Sequence, residues 1–203
     1  MSADSTAYWD DQSATFDDEP DHGLRDPAVR QAWRGLLLPL VGPASRIADI
    51  GCGTGSLSIL LAEAGHDVSG VDLSPLMVDA AAAKAAAAGA AATFAVGDAQ
   101  DPPLATAAFD LVLVRHVLWA LPDPVAALRR WDNLLRPGGS MLLVEGSWST
   151  GAGLTGEQCR ALVLQVRRTA EVRHLDNTTL WGRETIDERY LLLSPSRPNP
   201  IAL

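Results

Sequence analysis

Three glycines stand at alternate positions in Asp49-Ile50-Gly51-Cys52-Gly53-Thr54-Gly55, directly after the apolar run that starts at Arg46. Glycine lacks a Cβ, so such a turn lets a ligand lie close against the backbone. The spacing is G-x-G-x-G. The dinucleotide fingerprint G-x-G-x-x-G would need glycine at position 56, where Ser56 stands. That, and the lack of a Tyr-x-x-x-Lys pair, counts against a nicotinamide-dependent oxidoreductase. Two carboxylates follow at the ends of further apolar runs. Asp72, in Val71-Asp72-Leu73-Ser74, suits a ribose diol, because a carboxylate there accepts two hydrogen bonds. Asp98, in Gly97-Asp98-Ala99, suits an exocyclic adenine amine.

Four side chains are candidate proton acceptors: His22, His116, Glu145 and Tyr8. Histidine titrates nearest neutral pH, so His22 and His116 lead. His66 and His174 read as structural. Trp9, Phe16, Trp119 and Trp148 could wall a flat substrate, since small-ligand pockets are mostly apolar with few polar groups. Trp33 and Trp131 fall in helical patterns and read as core, and Trp181 as cover for an edge.

These residues need a scaffold that brings them together. Strands are predicted over 46–51, 67–73, 93–96, 109–115 and 140–145, with two less certain near 171–175 and 188–193. Helices are predicted over 27–38, 56–64, from Ser74-Pro75 to Ala88, from Asp123-Pro124 to 135, and over 155–169. Arg136-Pro137-Gly138-Gly139 reads as a sharp turn. Strands alternating with helices imply a doubly wound, mostly parallel α/β sheet, Rossmann-like, whose ligands bind beyond the strands' carboxyl ends. The glycine loop, Asp72, Asp98, Arg115-His116 and Glu145 all fall at such ends.

In order and spacing these segments resemble the class I S-adenosylmethionine-dependent methyltransferases, specifically the small type 11 group. The resemblance runs from Arg46 to Gly146 and includes 47–55, 71–74, 97–99, 109–112, 116–122 and Leu135-Arg136-Pro137-Gly138-Gly139. It implies a seven-stranded sheet with one antiparallel edge strand, and S-adenosylmethionine as cofactor. Gly51, Gly53 and Gly55 would pack against the methionine part, supported by Asp49. Asp72 would hold the ribose, with Leu73 and Met77 beside the adenine. Asp98 would accept from the adenine amine, next to Ala99. Arg115 or His116 would line the methionine end, and Tyr8 would contact cofactor or substrate. Tyr8 to Leu24 would close the site as a lid.

The expected organisation is lid and helix over 1–45, methyltransferase core over 46–194 and a loosely ordered tail over 195–203. The expected reaction is methyl transfer to O or N of a small hydrophobic or aromatic acceptor, with secondary metabolism as a setting. Trp9, Phe16, Trp119, Glu145 and Trp148 would face the acceptor and His22 and His116 would act as base. The short stretch 147–154 leaves little room for an inserted cap, so the lid must come from the N-terminus. The alternative is a non-catalytic cofactor-binding scaffold or regulator.

Composition narrows the partners. The chain has 203 residues and a formal charge of −9, with only short basic pairs such as Arg129-Arg130 and Arg167-Arg168, which read as solvated helix faces. Nucleic acid is therefore not an expected partner. Asn-Pro-Pro-Tyr and Pro-Cys segments are missing as well. Cys52 and Cys159 have no neighbours at metal-ligand spacing, so no metal is expected. Residues 1–19 carry no apolar signal core and no apolar run would cross a bilayer, so a cytoplasmic monomer or homodimer without a membrane partner is the expectation.

Overall fold

Apolar runs too continuous for a half-exposed sheet become the central strands of the computed structural model, which describes residues 3–195. β1 (Arg46–Ile50), β2 (Asp67–Asp72), β3 (Ala92–Val96), β4 (Phe109–Arg115) and β5 (Leu135–Ser147) are all parallel. β6 (Glu171–His174) and β7 (Glu188–Ser194) complete one seven-stranded sheet of order β3-β2-β1-β4-β5-β7-β6. β7 pairs antiparallel with both β5 and β6. The reversed strand expected at the edge thus lies one place in from it. The sheet order turns back between β1 and β4, which is where ligands bind in open α/β sheets.

The helices are α1 (Ala3–Gln12), the single turn α2 (Pro20–Gly23), α3 (Pro27–Leu37), α4 (Ser56–Glu63), α5 (Pro75–Ala88), α6 (Pro124–Leu134) and α7 (Gly156–Val163). Their ends follow local chemistry. Asp26, Ser74 and Asp123 each accept a backbone N–H at an N-cap, each with proline next. Gly89 stops α5 in the left-handed region at φ +63°. Thr155 and Gln158 form a capping box on α7.

Two expected elements differ. Arg136–Gly139 is not a turn between elements but a bulge inside β5. Phe109 faces Leu135 and Leu111 faces Ser140, so the intervening residues leave the ladder, with Gly138 at φ +94°. α7 stops at Val163, six residues short of the expected end. There the bonding tightens to i→i+3, and Arg167 turns inward to Asp132 (2.7 Å), Ser194 and the Gly139 carbonyl. Arg167 is therefore buried and paired rather than solvated. The expected loose tail falls, from residue 196, outside the described residues.

Two apolar layers sandwich the sheet. Trp131 and Leu128 centre one, with the Trp131 indole donating to the Ala99 carbonyl (2.7 Å). Trp33, Leu37, Leu60 and Leu61 centre the other, beside Trp181. α3 therefore shares its core with β1 and β4. Trp33 meets Trp181 edge-on at 5.5 Å, and its indole donates to the Leu180 carbonyl at 2.8 Å. Trp33→Ala should cost about 3–5 kcal/mol by cavity formation. Urea denaturation should show a lower midpoint at unchanged slope. A loss under about 1 kcal/mol would mean that α3 is peripheral to the core.

Candidate active site

The glycine loop leaves β1 and folds back on β2. The Gly51 and Cys52 amides both donate to the Val71 carbonyl (2.7 and 3.0 Å). Gly51 and Gly53 have φ of +70° and +54°. A Cβ on Gly51 would lie 2.3 Å from a Val117 methyl, so the loop is seated against the chain that follows β4. Gly55 instead seats α5 and β3, because its Cβ would strike Ala81 and Phe94. Asp49 is buried beneath the loop, where Ser58 donates to it at 2.6 Å. Burial pushes its carboxyl up to about 6. Asp49 braces β1 against α4 and does not reach the cavity.

That cavity, about 370 Å³, opens over the carboxyl ends of β1, β2 and β4. Its volume is in the usual range for small-molecule sites, roughly 300–1,000 Å³. One half holds Gly51, Gly53, Asp72, Leu73, Met77 and Ala99. The Asp72 oxygens accept from the Gly53 and Ser74 amides (2.8 and 3.0 Å), and burial raises its pKa. Each carboxylate oxygen keeps a further lone pair for a ligand hydroxyl. Leu73, Met77 and Ala99 make an apolar slot beside it. Asp98 accepts from the Gln100 amide (2.8 Å) and does not line the cavity.

The other half holds Phe16, His22, Arg115, His116, Trp119 and Trp148. His22 stacks on Phe16 at 4.3 Å, and His116 meets Trp148 edge-on at 5.3 Å. Trp9 reaches the wall and touches Phe16 edge-on at 6.4 Å. Tyr8 does not reach it; it is 57% exposed and packs on the outer side of Trp9. Arg115 donates to the Asp21 carbonyl and lies over the Trp33 ring at 5.5 Å. Burial first, then the Arg115 charge, lowers the His22 pKa against the pull of Asp21 and Glu19. Burial, Arg115 and Arg189 push His116 well below the ordinary value. Both shifts favour the neutral imidazole.

Glu145 does not face the cavity. It is fully buried and accepts the Val117 and Leu118 amides at one oxygen (3.0 and 2.8 Å). It therefore shapes the turn in which His116 holds φ +58°. Sequence reasoning missed Glu19 and Asp21 beside His22, and Arg183, Asp187 and Arg189 from the chain leading into β7. Asp21 was legible as the neighbour of His22. Arg189 gave no local signal, because only β7's pairing with β5 brings it to the rim.

The N-terminal segment closes over both halves. Lys84 on α5 donates to Asp17 (2.6 Å), Thr54 (2.9 Å) and Ser56 (2.9 Å), and Thr54 also donates to Asp17. Ser74 donates to Asp10.

A family model described as "Methyltransferase domain" matches residues 48–143, the stretch that carries the loop, Asp72, Asp98 and His116. Residues 48–143, just under half of the chain, match this family, and the fold is that of the S-adenosylmethionine-dependent methyltransferases. It is 33% identical over 137 residues to the ubiquinone biosynthesis O-methyltransferase of Xanthomonas oryzae pv. oryzae (strain PXO99A), covering 67% of this chain and 54% of that protein. The chain spans about half the length of the curated relatives it matches. Among solved structures, the [4+2]-cyclase SpnF superposes with a TM-score of 0.69 at 19% identity, over 83% of this chain and 81% of that one. The phosphoethanolamine N-methyltransferase 2 of Haemonchus contortus, in complex with S-adenosyl-L-methionine, gives 0.65 at 19% identity, over 82% and 52%. S-adenosylmethionine is the cofactor of this methyltransferase fold, and the Asp72 oxygens and the slot of Leu73, Met77 and Ala99 fit its ribose and adenine.

Glu145 titrates far from its ordinary range, since burial pushes it up to about 8 from 4.5. A carboxyl whose folded value is raised contributes stability that is complete below its unfolded value and is lost as pH rises towards the folded one. The window is therefore pH 4.5 to 8. Glu145→Gln keeps the acceptor oxygen and removes the titration. It should gain on the parent protein by about 3 kcal/mol between pH 5 and pH 8 in urea melts. A parallel pH dependence in the two proteins would refute the protonated buried acid.

Proposed function

We propose that the protein transfers the methyl group of S-adenosylmethionine to an oxygen or nitrogen of a small hydrophobic or aromatic acceptor. One observation carries this reading: one cavity joins the Asp72 half to an aromatic half containing two histidines. The fold alone would not carry it, because a [4+2]-cyclase shares that fold.

The cofactor supplies a methyl group already activated by a positive sulfur. The chain's own residues then have three tasks. Asp72 and the slot beside it hold the nucleoside end and so fix where the sulfur points. Trp119 and Trp148, tilted at 5.4 Å from one another, form a wall on one side of a flat acceptor. Orienting two reactants in this way contributes up to roughly 7–11 kcal/mol in favourable systems. Phe16 and Trp9 cover the junction and exclude water. The nucleophile's proton leaves on the side of Asp21, His22 and His116, where two buried ring nitrogens have no hydrogen-bond partner. The relatives' printed name, an O-methyltransferase, supports an oxygen nucleophile. The short 147–154 stretch, closed on itself by Trp148–Ala152 bonding, limits the acceptor's size.

Calorimetry should show one equivalent of S-adenosylmethionine bound. Asp72→Ala should weaken it by roughly 10–100-fold, the worth of hydrogen bonds to a charged group. No binding to the parent protein at millimolar cofactor would end this reading. Against a panel of phenols, catechols and arylamines, S-adenosylhomocysteine should accumulate. His22→Gln should lower kcat by roughly 10²–10⁴-fold while cofactor affinity holds. Cofactor binding with no turnover on any acceptor would favour a non-catalytic scaffold instead.

A further inference from the structure

The acceptor half of the cavity contains a ligand set that sequence spacing conceals. Asp21, His22 and His116 each offer one atom, and these atoms all lie within 4.8 Å of one another. Asp21 and His22 come from α2 in the N-terminal segment, and His116 from the turn after β4. Two of the buried ring nitrogens, His22 Nδ1 and His116 Nε2, have no hydrogen-bond partner. A buried polar atom without a partner is costly, and native proteins rarely leave two in one place. Here both border the same cavity.

We propose that Asp21, His22 and His116 form a binding site for a divalent transition-metal cation that holds the acceptor through oxygen. Two imidazoles and one carboxylate select first-row cations such as Zn²⁺, Mn²⁺ or Co²⁺ over Mg²⁺ or Ca²⁺, which prefer oxygen donors. Ligands at about 2.0–2.2 Å from one ion stand roughly 3–4 Å apart, so atoms within 4.8 Å of one another need to close by up to roughly 1–2 Å. Small χ rotations supply that. Three protein ligands leave coordination positions free for a substrate, as catalytic rather than structural sites do.

The surroundings accommodate the charge. Three arginines line the cavity, against four carboxylates. Arg189 pairs with Asp187 (3.1 Å) and Arg183 with Glu19 (3.0 Å). Arg115 donates to the Asp21 backbone carbonyl, and the Asp21 carboxylate stands 3.7 Å from His22 Nε2, on the side of the two rings. The rings are held from outside the ligand sphere, His22 by Phe16 and His116 by Trp148 and Trp181. A cation there would polarise an acceptor hydroxyl and lower the cost of its proton. It would also tie the N-terminal segment to the sheet.

This inference rests on reading this half of the cavity as the acceptor's, but the test of cation binding itself needs neither cofactor nor acceptor. The full chain, free of any tag and stripped by chelator, is titrated with Co²⁺ and followed by visible absorption, then with Zn²⁺ by calorimetry. One equivalent should bind, with ligand-field bands, and the melting temperature should rise with Zn²⁺. His22→Gln and His116→Gln should abolish the bands, and the exposed His174→Gln should retain them. Asp21→Asn keeps the backbone carbonyl that Arg115 uses, so it serves if either histidine variant fails to fold. It should weaken binding while far-UV dichroism is unchanged. Absence of saturable binding, or binding unaffected by Asp21→Asn and both histidine changes, would overturn the site. Methyl transfer unaffected by chelator would overturn the cation's hold on the acceptor, with the methyltransferase reading intact.

Discussion

The rim depends on how closely two chain segments pass each other where β1 and β4 end. Gly51 lies under Val117, with no room for even a methyl group between them. Val117 can sit there because its amide, and that of Leu118, are held by Glu145 at the far end of β5. The same constraint turns His116 into a left-handed conformation, rare for a residue with a side chain. A backbone held in such a region persists only where the surroundings over-determine it. Here a glycine, a buried acid and two amides do so. The glycine loop therefore has two roles: it makes space for the cofactor and it sets where the acceptor-side histidine points.

The N-terminal segment is joined to this frame by polar bonds rather than by a large apolar face. Asp17 reaches Lys84 and Thr54, and Asp10 reaches Ser74. The contacts run to the glycine loop and to α5, so the segment and the cofactor loop brace one another. Lys84 is central because it also holds Ser56, the first residue of α4. Phe16 then comes to rest over Gly53, where a Cβ would be 3.0 Å from its ring. Such partly buried charge pairs carry more energy than exposed ones and less than core packing. A segment held in this way suits a cover that must admit a ligand.

How much was legible in the sequence follows from the range of each signal. Strands and their ends were readable, because an apolar run ending in glycine or aspartate is a local pattern. Asp72, Gly51 and Gly53 were placed on the rim for that reason, and the structure brings them there. Glu145 also ends a strand, but its side chain points into the sheet layer, and alternation along β5 could not be read through the bulge at 136–139. Arg167 looked like one of a solvated pair because its partners, Asp132 and Ser194, are distant in sequence. The Asp21–His22–His116 cluster was invisible for the same reason. Metal-ligand spacing is a test of sequence neighbours, and this set is assembled across 94 residues by the lid, as the Arg115–Asp21 bond shows.

This division of signals has a chemical counterpart. The cofactor half is built from strand ends, loop backbone and one carboxylate, all within the 48–143 stretch that the family model matches. Those parts cannot be varied singly, since each glycine in the loop already contacts another element. The acceptor half takes Phe16 and His22 from the N-terminal segment, Trp148 from the loop after β5, and Arg183 and Arg189 from the chain around β7. Each can change without moving a strand. A fold organised this way keeps one cofactor while its acceptors differ, and the same scaffold in a cyclase is consistent with that freedom. This half of the cavity is therefore lined by side chains from four separate segments, the N-terminal one, the end of β4 and its turn, the loop after β5 and the chain around β7, and its chemistry must be read from the cavity they form together.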